Sequence, residues 1–442
     1  MATDARAADA MPRFPDGFLW GVSTSAHQIE GAAGLRAPSV WDVFTAEPGR
    51  VRDGSTAAVA CDHYHRYRED VALLAGLGVD AYRFSVSWPR VDSPGGLDFY
   101  DRLVDEVCAA GVRPVPTLFH WDLPVGLDWL ERDTAARFAE YVSVVAERLG
   151  DRVGKWITLN EPAEHTLLGH ALGTHAPGRT LLFDALPAAH HQLLAHGLAV
   201  RALRAAGATD VGIANSHGPT WPASDAPADR EAADFYDLLL NRMFADPVLT
   251  GRYPEGLGEL MPGSAGGVEA DLEIISEPLD WYGVNYYAPA RVGAPQGAEI
   301  EFGGVTLPAE LPFSVRAIEG RPLTDFGWPV VPEGLTELLT GFRDRYGDRL
   351  PPVVVTENGC AYEGLDDQDR IAYLDGHVRA LHRAVEAGVD LRGYFVWSLL
   401  DNFEWAEGYG RRFGLVHVDF TTLERTPKAS YGWFRDLVAG QR

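Results

Sequence analysis

The strongest constraint on the fold is a rhythm. Eight short apolar runs, at 18–22, 79–85, 112–119, 155–159, 211–216, 279–287, 352–356 and 391–398, alternate with longer stretches of helical spacing. The run at 352–356 shows the type. Val353, Val354 and Val355 are β-branched, consecutive and uncharged, as in a strand buried on both faces. The intervening spacing predicts helices over 64–77, 97–110, 134–149, 181–206, 230–244, 333–346, 366–387 and 429–438. Gly78, Gly111 and Gly388 stand where such helices stop. This alternation implies an α/β protein with a parallel sheet and right-handed crossovers. Eight units close most economically into a single (β/α)8 barrel of the TIM type. The 442 residues exceed the roughly 250 of a typical barrel, so long loops are inserted, at 31–60, 218–230, 251–269 and 288–326. A doubly wound open sheet is the alternative, but no glycine-rich phosphate loop follows any run. Residues 1–12 read as a disordered leader, and 13–442 as one catalytic-size domain without a linker.

Charge narrows the partners. The formal net charge of −25 disfavours nucleic acid, anionic membranes and phosphorylated substrates. No apolar run approaches the roughly 20 residues that span a bilayer. Cys61, Cys108 and Cys360 are far apart and form no CxxC pair, so neither a disulfide framework nor a thiolate metal site is expected. These features point to the cytoplasm, and no cofactor or metal is implied. Oligomeric state is left open.

In a barrel the C-terminal strand ends form the active face. At those ends stand Gln28, Arg83, His120, Trp121, Asn160, Glu161, Asn285, Tyr287, Glu357, Asn358, Trp397, Glu404 and Trp405. No Ser–His–Asp set and no HExxH motif is present. Amides and carboxylates suit hydroxyl groups, and indoles offer flat apolar faces to a sugar ring. Paired carboxylates in that company suggest cleavage of a glycosidic bond.

Each residue also has a plainer reading. Glu161 before Pro162 fits an acid at a helix N-terminus. Glu357 before Asn358-Gly359 fits a turn acid. His120 fits a structural histidine and Trp397 a core residue. His190 and His191 read as helix-surface residues. Arg83 is the exception, because a buried guanidinium must be paired, and a strand-end carboxylate is its natural partner.

Seven stretches carry a resemblance to glycoside hydrolase family one, the β-glucosidase-like retaining enzymes. They are 18–31 (FLWGVSTSAHQIEG), 82–90 (YRFSVSWPR), 120–124 (HWDLP), 158–162 (TLNEP), 283–287 (GVNYY), 356–359 (TENG) and 397–415 (WSLLDNFEWAEGYGRRFGL). The resemblance implies that Glu357 is the nucleophile and Glu161 the acid/base. Gln28, His120, Asn160, Glu404 and Trp405 would bind the hydroxyls of the sugar. Trp397 would stack under that sugar, with Phe413 nearby. Tyr287 would touch the nucleophile and Arg83 would hold it ionised. Asn285 falls between the two sites, and Trp328 resembles a leaving-group-side tryptophan. The implied function is hydrolysis of terminal β-D-glucosyl residues, with galactosyl or fucosyl residues as further candidates. Small β-glycosides or cello-oligosaccharides from cellulose degradation are the implied substrates.

Retention by double displacement predicts two carboxyls roughly 5 to 5.5 Å apart, with Glu161 protonated at the start. Two loops look short for the family, near Ser93 and near Asp128. Ala163-Glu164-His165 replaces the apolar and aromatic residues common after TLNEP. A transglycosidase and a non-catalytic sugar-binding protein are the competing readings. Binding alone would not require both glutamates.

Overall fold

The computed structural model describes residues 11–262, 267–302 and 305–442. The expected leader lies outside the described residues as far as residue 10. Met11 packs against the main core, and the Pro12 carbonyl accepts a hydrogen bond from Gln441 Nε2 at 3.0 Å.

Eight parallel strands close into a barrel: β1 (Leu19–Ser23), β2 (Ala81–Ser85), β3 (Arg113–Phe119), β4 (Trp156–Asn160), β5 (Val211–Ser216), β6 (Tyr282–Asn285), β7 (Val353–Asn358) and β8 (Leu391–Trp397). Each pairs with its neighbours in chain order, and β8 returns to β1. All six residues of β7 are buried, as its valine run requires. Inside the barrel, Ala81, Val115, Ile157, Ala214, Trp281, Val354 and Phe395 form a small core of their own. Glycine makes room for its two rings. A Cβ on Gly21 would sit 2.3 Å from the Phe395 ring, and one on Gly212 would sit 2.5 Å from Trp281.

The outer layer includes α1 (His63–Leu77), α2 (Gly96–Ala109), α3 (Asp133–Leu149) and α4 (Leu186–Ala205). It continues with α5 (Pro227–Asp237), α6 (Met243–Thr250), α7 (Val268–Ile275), α8 (Pro332–Tyr346), α9 (Gln368–Glu386) and α10 (Ala429–Gln441). The helix expected over 230–244 is broken instead. A π-helical turn, Leu238–Arg242, separates α5 from α6. The helix expected over 181–206 begins at Leu186, after a 3₁₀ turn.

His190 and His191 are not surface residues. Both are buried in α4, because the insertion between β5 and β6 covers His190 and the segment before α3 covers His191. His190 lies 2.9 Å from both Tyr253 Oη and Asp271 Oδ2, and His191 Nδ1 donates to the Trp129 carbonyl at 2.9 Å. The remaining insertions follow strand ends. The 31–60 loop carries a short helix, Val40–Thr45. The 288–326 loop contributes Ala290–Gly293 and Ser314–Arg316 to a small sheet with Thr220–Pro222.

Candidate active site

The tip of β7 is bent toward the barrel mouth. Its pairing with β6 and with β8 shifts register after Val355, just before Glu357. Such an irregularity re-aims a side chain at the end of a strand. Glu357 is 3% exposed and receives two hydrogen bonds. Arg83 Nη1 donates to Oε1 at 2.5 Å, and the Tyr287 hydroxyl donates to Oε2 at 2.7 Å. Arg83, fully buried on β2, also donates to the Thr356 carbonyl, Thr117 Oγ1 and Asn160 Oδ1. The pairing expected for this guanidinium is therefore made. Gly359 follows β7 at close quarters, since a Cβ there would lie 1.8 Å from the Trp397 carbonyl oxygen.

Glu161 follows β4 directly, in the left-handed region at φ 46°, and starts a short helix, Pro162–Glu164. Its N–H donates to the Ala214 carbonyl at 2.8 Å. Trp121 at φ 75° and Trp405 at φ 49° share that unusual backbone region and line the same cavity. For non-glycine residues this conformation is strained, and such strain clusters at functional sites.

The Glu161 carboxyl accepts one hydrogen bond, from Asn285 Nδ2 at 2.8 Å. Burial raises its pKa well above the usual carboxylate range, and the charge on Glu357 adds to the effect. Asn285 is pinned from the other side, because its Oδ1 accepts from Thr356 Oγ1 at 2.6 Å. Asn160 Oδ1 accepts from both Arg83 and Asn285, so its Nδ2 donates to His120 Nε2 at 3.1 Å. Burial, and next the charge on Arg83, keep His120 neutral by lowering its pKa well below the ordinary value.

A second polar group forms where the ends of β1 and β8 meet. Gln28 Nε2 lies 3.0 Å from Asn402 Oδ1, 3.0 Å from the Phe403 carbonyl and 3.2 Å from Glu404 Oε2. Burial, then the charge on Glu357, push the Glu404 carboxyl up to about 8. Aromatic rings floor this side. Trp397 stacks near His120 at 5.7 Å between centroids, and Trp405 packs between His27, Trp41 and Trp121.

These groups meet in one cavity of about 290 Å³. Glu161, Glu357, His120, Trp121, Tyr287, Trp328, Trp397, Glu404, Trp405 and Phe413 line it. Gln28, Arg83, Asn160 and Asn285 lie at the wall, hydrogen-bonded to Glu404, Glu357, His120 and Glu161 respectively. Trp328 and Phe413 cluster with Phe326 and Tyr287 on one flank.

Sequence reading misses one side. Ser216 and His217 at the end of β5, with Tyr236, Asn241 and Glu164, also line the cavity. The polar run Asn215-Ser216-His217 after an apolar strand is the local signal for it. Chemically, the cavity sets the ion-paired Glu357 carboxyl beside the Glu161 carboxyl, which is buried without a cation. That is the equipment for nucleophilic attack on one side of a bond and protonation on the other.

The family model described as glycosyl hydrolase family 1 matches residues 10–442. The chain is 48% identical to the thermostable beta-glucosidase B of Thermobispora bispora, over 96% of this chain and 90% of that protein. It is 42% identical to a bifunctional beta-D-glucosidase/beta-D-fucosidase of Bifidobacterium breve, over 96% and 98%. The family 1 β-glucosidase structure from Thermotoga maritima superposes with a TM-score of 0.91 at 40% identity, covering 98% of this chain and 99% of that one.

Proposed function

The chain belongs to glycosyl hydrolase family 1, and from that premise we propose that Glu357 is its nucleophile and Glu161 its acid/base. The enzyme is a retaining β-glycosidase with β-glucosidase activity. The assignment of roles rests on one observation. Glu161 and Glu357 are both buried at one cavity, and of these two only Glu357 is paired with a cation.

The chemistry follows from that inequality. Glu161, protonated by burial and by its neighbour's charge, gives its proton to the leaving oxygen while Glu357 attacks the anomeric carbon. A glucosyl ester forms with inverted configuration. Esterification removes the charge on Glu357, so the pKa of Glu161 falls as a base becomes necessary. Glu161 then takes a proton from water, and the second inversion restores the β-configuration. Gln28, His120, Asn160, Glu404 and Trp405 hold the sugar hydroxyls, with Trp397 beneath the ring and Asn285 steadying Glu161. Trp328 and Phe413 border the leaving group.

Small β-glucosides are the substrates, with short cello-oligosaccharides as a second class. The bifunctional relative supports β-fucosides as a further glycone. No described helix is long and apolar enough to cross a membrane, and Cys61, Cys108 and Cys360 are all free thiols, which supports a cytoplasmic setting. The test is hydrolysis of 4-nitrophenyl β-D-glucoside followed by proton NMR. β-Glucose should appear first, with the α-anomer growing in later by mutarotation. First appearance of α-glucose would refute the double displacement.

A further inference from the structure

One carboxyl in the cavity has no part in the double displacement. Glu164 lies three residues after Glu161, at the end of the short helix that Glu161 starts, and both line the cavity. Glu164 is half-buried. Ser216 and Tyr236 line the same cavity and lie close enough to Glu164 to interact with its carboxyl. Burial raises its own pKa.

Position says what Glu164 faces. The sugar-holding residues come mostly from the ends of β1, β3 and β8, with Asn160 on β4, whereas Glu164, Ser216 and Tyr236 all follow the ends of β4 and β5. Glu161 protonates the leaving oxygen, so the residue one turn beyond it borders the departing group. The surrounding wall there is hydrocarbon, with Leu168, Leu172, Leu240, Leu311 and Phe313 lining it. A second glucose would bring hydroxyls on several sides against that wall. Each one left without a partner weakens binding. An aromatic or alkyl group would meet the wall without that cost, and one hydroxyl would find Glu164.

We propose that Glu164 is the specificity-determining residue of the leaving-group side, which takes an apolar aglycone carrying one hydroxyl in preference to a second sugar. This rests on the β-glucosidase reading. Glu164, Ser216 and Tyr236 form the polar end of this compartment, since the polar atoms of His217 and Asn241 are already bonded to each other and to Tyr282, Gly218 and Asp237. The Glu164 carboxyl exchanges hydrogen bonds with the aglycone hydroxyl, and no bond to it is made or broken in the reaction.

The test compares kcat/KM for phenyl, 3-hydroxyphenyl and 4-hydroxyphenyl β-D-glucosides and for cellobiose. The proteins are the wild type, Glu164→Gln and Glu164→Val. In the wild type the hydroxyphenyl glucosides should exceed cellobiose by about tenfold or more. Glu164→Val should lower the better hydroxyphenyl substrate about tenfold relative to phenyl glucoside, and Glu164→Gln should keep most of the preference. A wild-type preference for cellobiose would overturn the proposal. So would an equal loss on all substrates in Glu164→Val, which would place Glu164 behind Glu161 instead. If Glu164→Val does not fold, competitive inhibition of the wild type decides. Hydroquinone should bind about tenfold more tightly than phenol, and equal inhibition counts against the proposal. Absence of turnover on 4-nitrophenyl β-D-glucoside would be a different failure, that of the β-glucosidase reading itself.

Discussion

The ends of β4 and β7 carry the same residue type at the same level of the barrel, yet the two carboxyls are held differently. Glu357 accepts from a guanidinium and a phenol. Glu161 accepts from one amide and is otherwise surrounded by buried surface and a neighbouring negative charge. Arg83 reaches across to β4 as well, but its contact there is Asn160, one residue short of Glu161. One residue of offset thus decides which glutamate has the cation. The comparison teaches that the role belongs to the neighbours, since the residue type and its place in the fold are shared.

Removing each glutamate should separate the two roles most sharply. Glu357→Ala should lose on the order of 10⁵-fold in kcat, the scale seen when a nucleophile is removed. Azide should restore turnover and give α-glucosyl azide. Glu161→Ala should lose roughly 10²–10⁴-fold on substrates with poor leaving groups, and far less on dinitrophenyl glucoside. Azide should then give the β-product. The same azide anomer from both variants would erase the distinction.

Arg83→Met comes next, and it acts first on stability. It leaves the buried Glu357 carboxylate without its cation, and breaking such a pair costs about 3–5 kcal/mol. Denaturant unfolding should reveal the loss, whereas an unchanged midpoint would mean that Glu357 does not depend on its cation. Tyr287→Phe removes one hydrogen bond to the same carboxylate. At about 1.5–3 kcal/mol for a bond to a charged group, kcat should fall about 10- to 100-fold with little change in folding. A fall in stability without a fall in kcat would make Tyr287 structural.

The smallest effect concerns Glu404, another carboxyl in the cavity and, like Glu161, one without a cation. Its pKa is raised from the ordinary 4.5 to about 8, so the folded state holds a proton that the unfolded state releases. That contribution is fully present below about 4.5 and is lost as pH rises through about 8. Glu404→Gln should therefore flatten the fall in Tm between pH 5 and 8.5 by a few degrees. Parallel profiles for variant and wild type would show that Glu404 is already charged at neutral pH.

Much of this was legible in the sequence because it is local. Val353–Val355 followed by Glu357, and the apolar run ending in Asn160-Glu161, each pair a strand with its polar tip in a few residues. Arg83 was legible because a guanidinium in an apolar strand must find a partner. What escaped depends on distant segments. Periodicity identifies α4 as a helix, but not that α7 and the chain before it bury His190 while the segment before α3 buries His191. The break of the 230–244 helix at a π-helical turn leaves no glycine or proline within Leu238–Arg242 to mark it. The leaving-group side joins Glu164, Ser216 and Tyr236 from three separate elements, and no single stretch contains that juxtaposition.

The inequality of the two strand tips can be measured directly by carbon-13 NMR titration of the Glu161 carboxyl. The free enzyme should be compared with the enzyme trapped as its 2-deoxy-2-fluoroglucosyl ester on Glu357. The free enzyme should show Glu161 titrating well above the usual carboxylate range, and trapping should lower its pKa by about one unit or more. An identical Glu161 titration in both states would contradict the claim that the charge on Glu357 keeps its neighbour protonated.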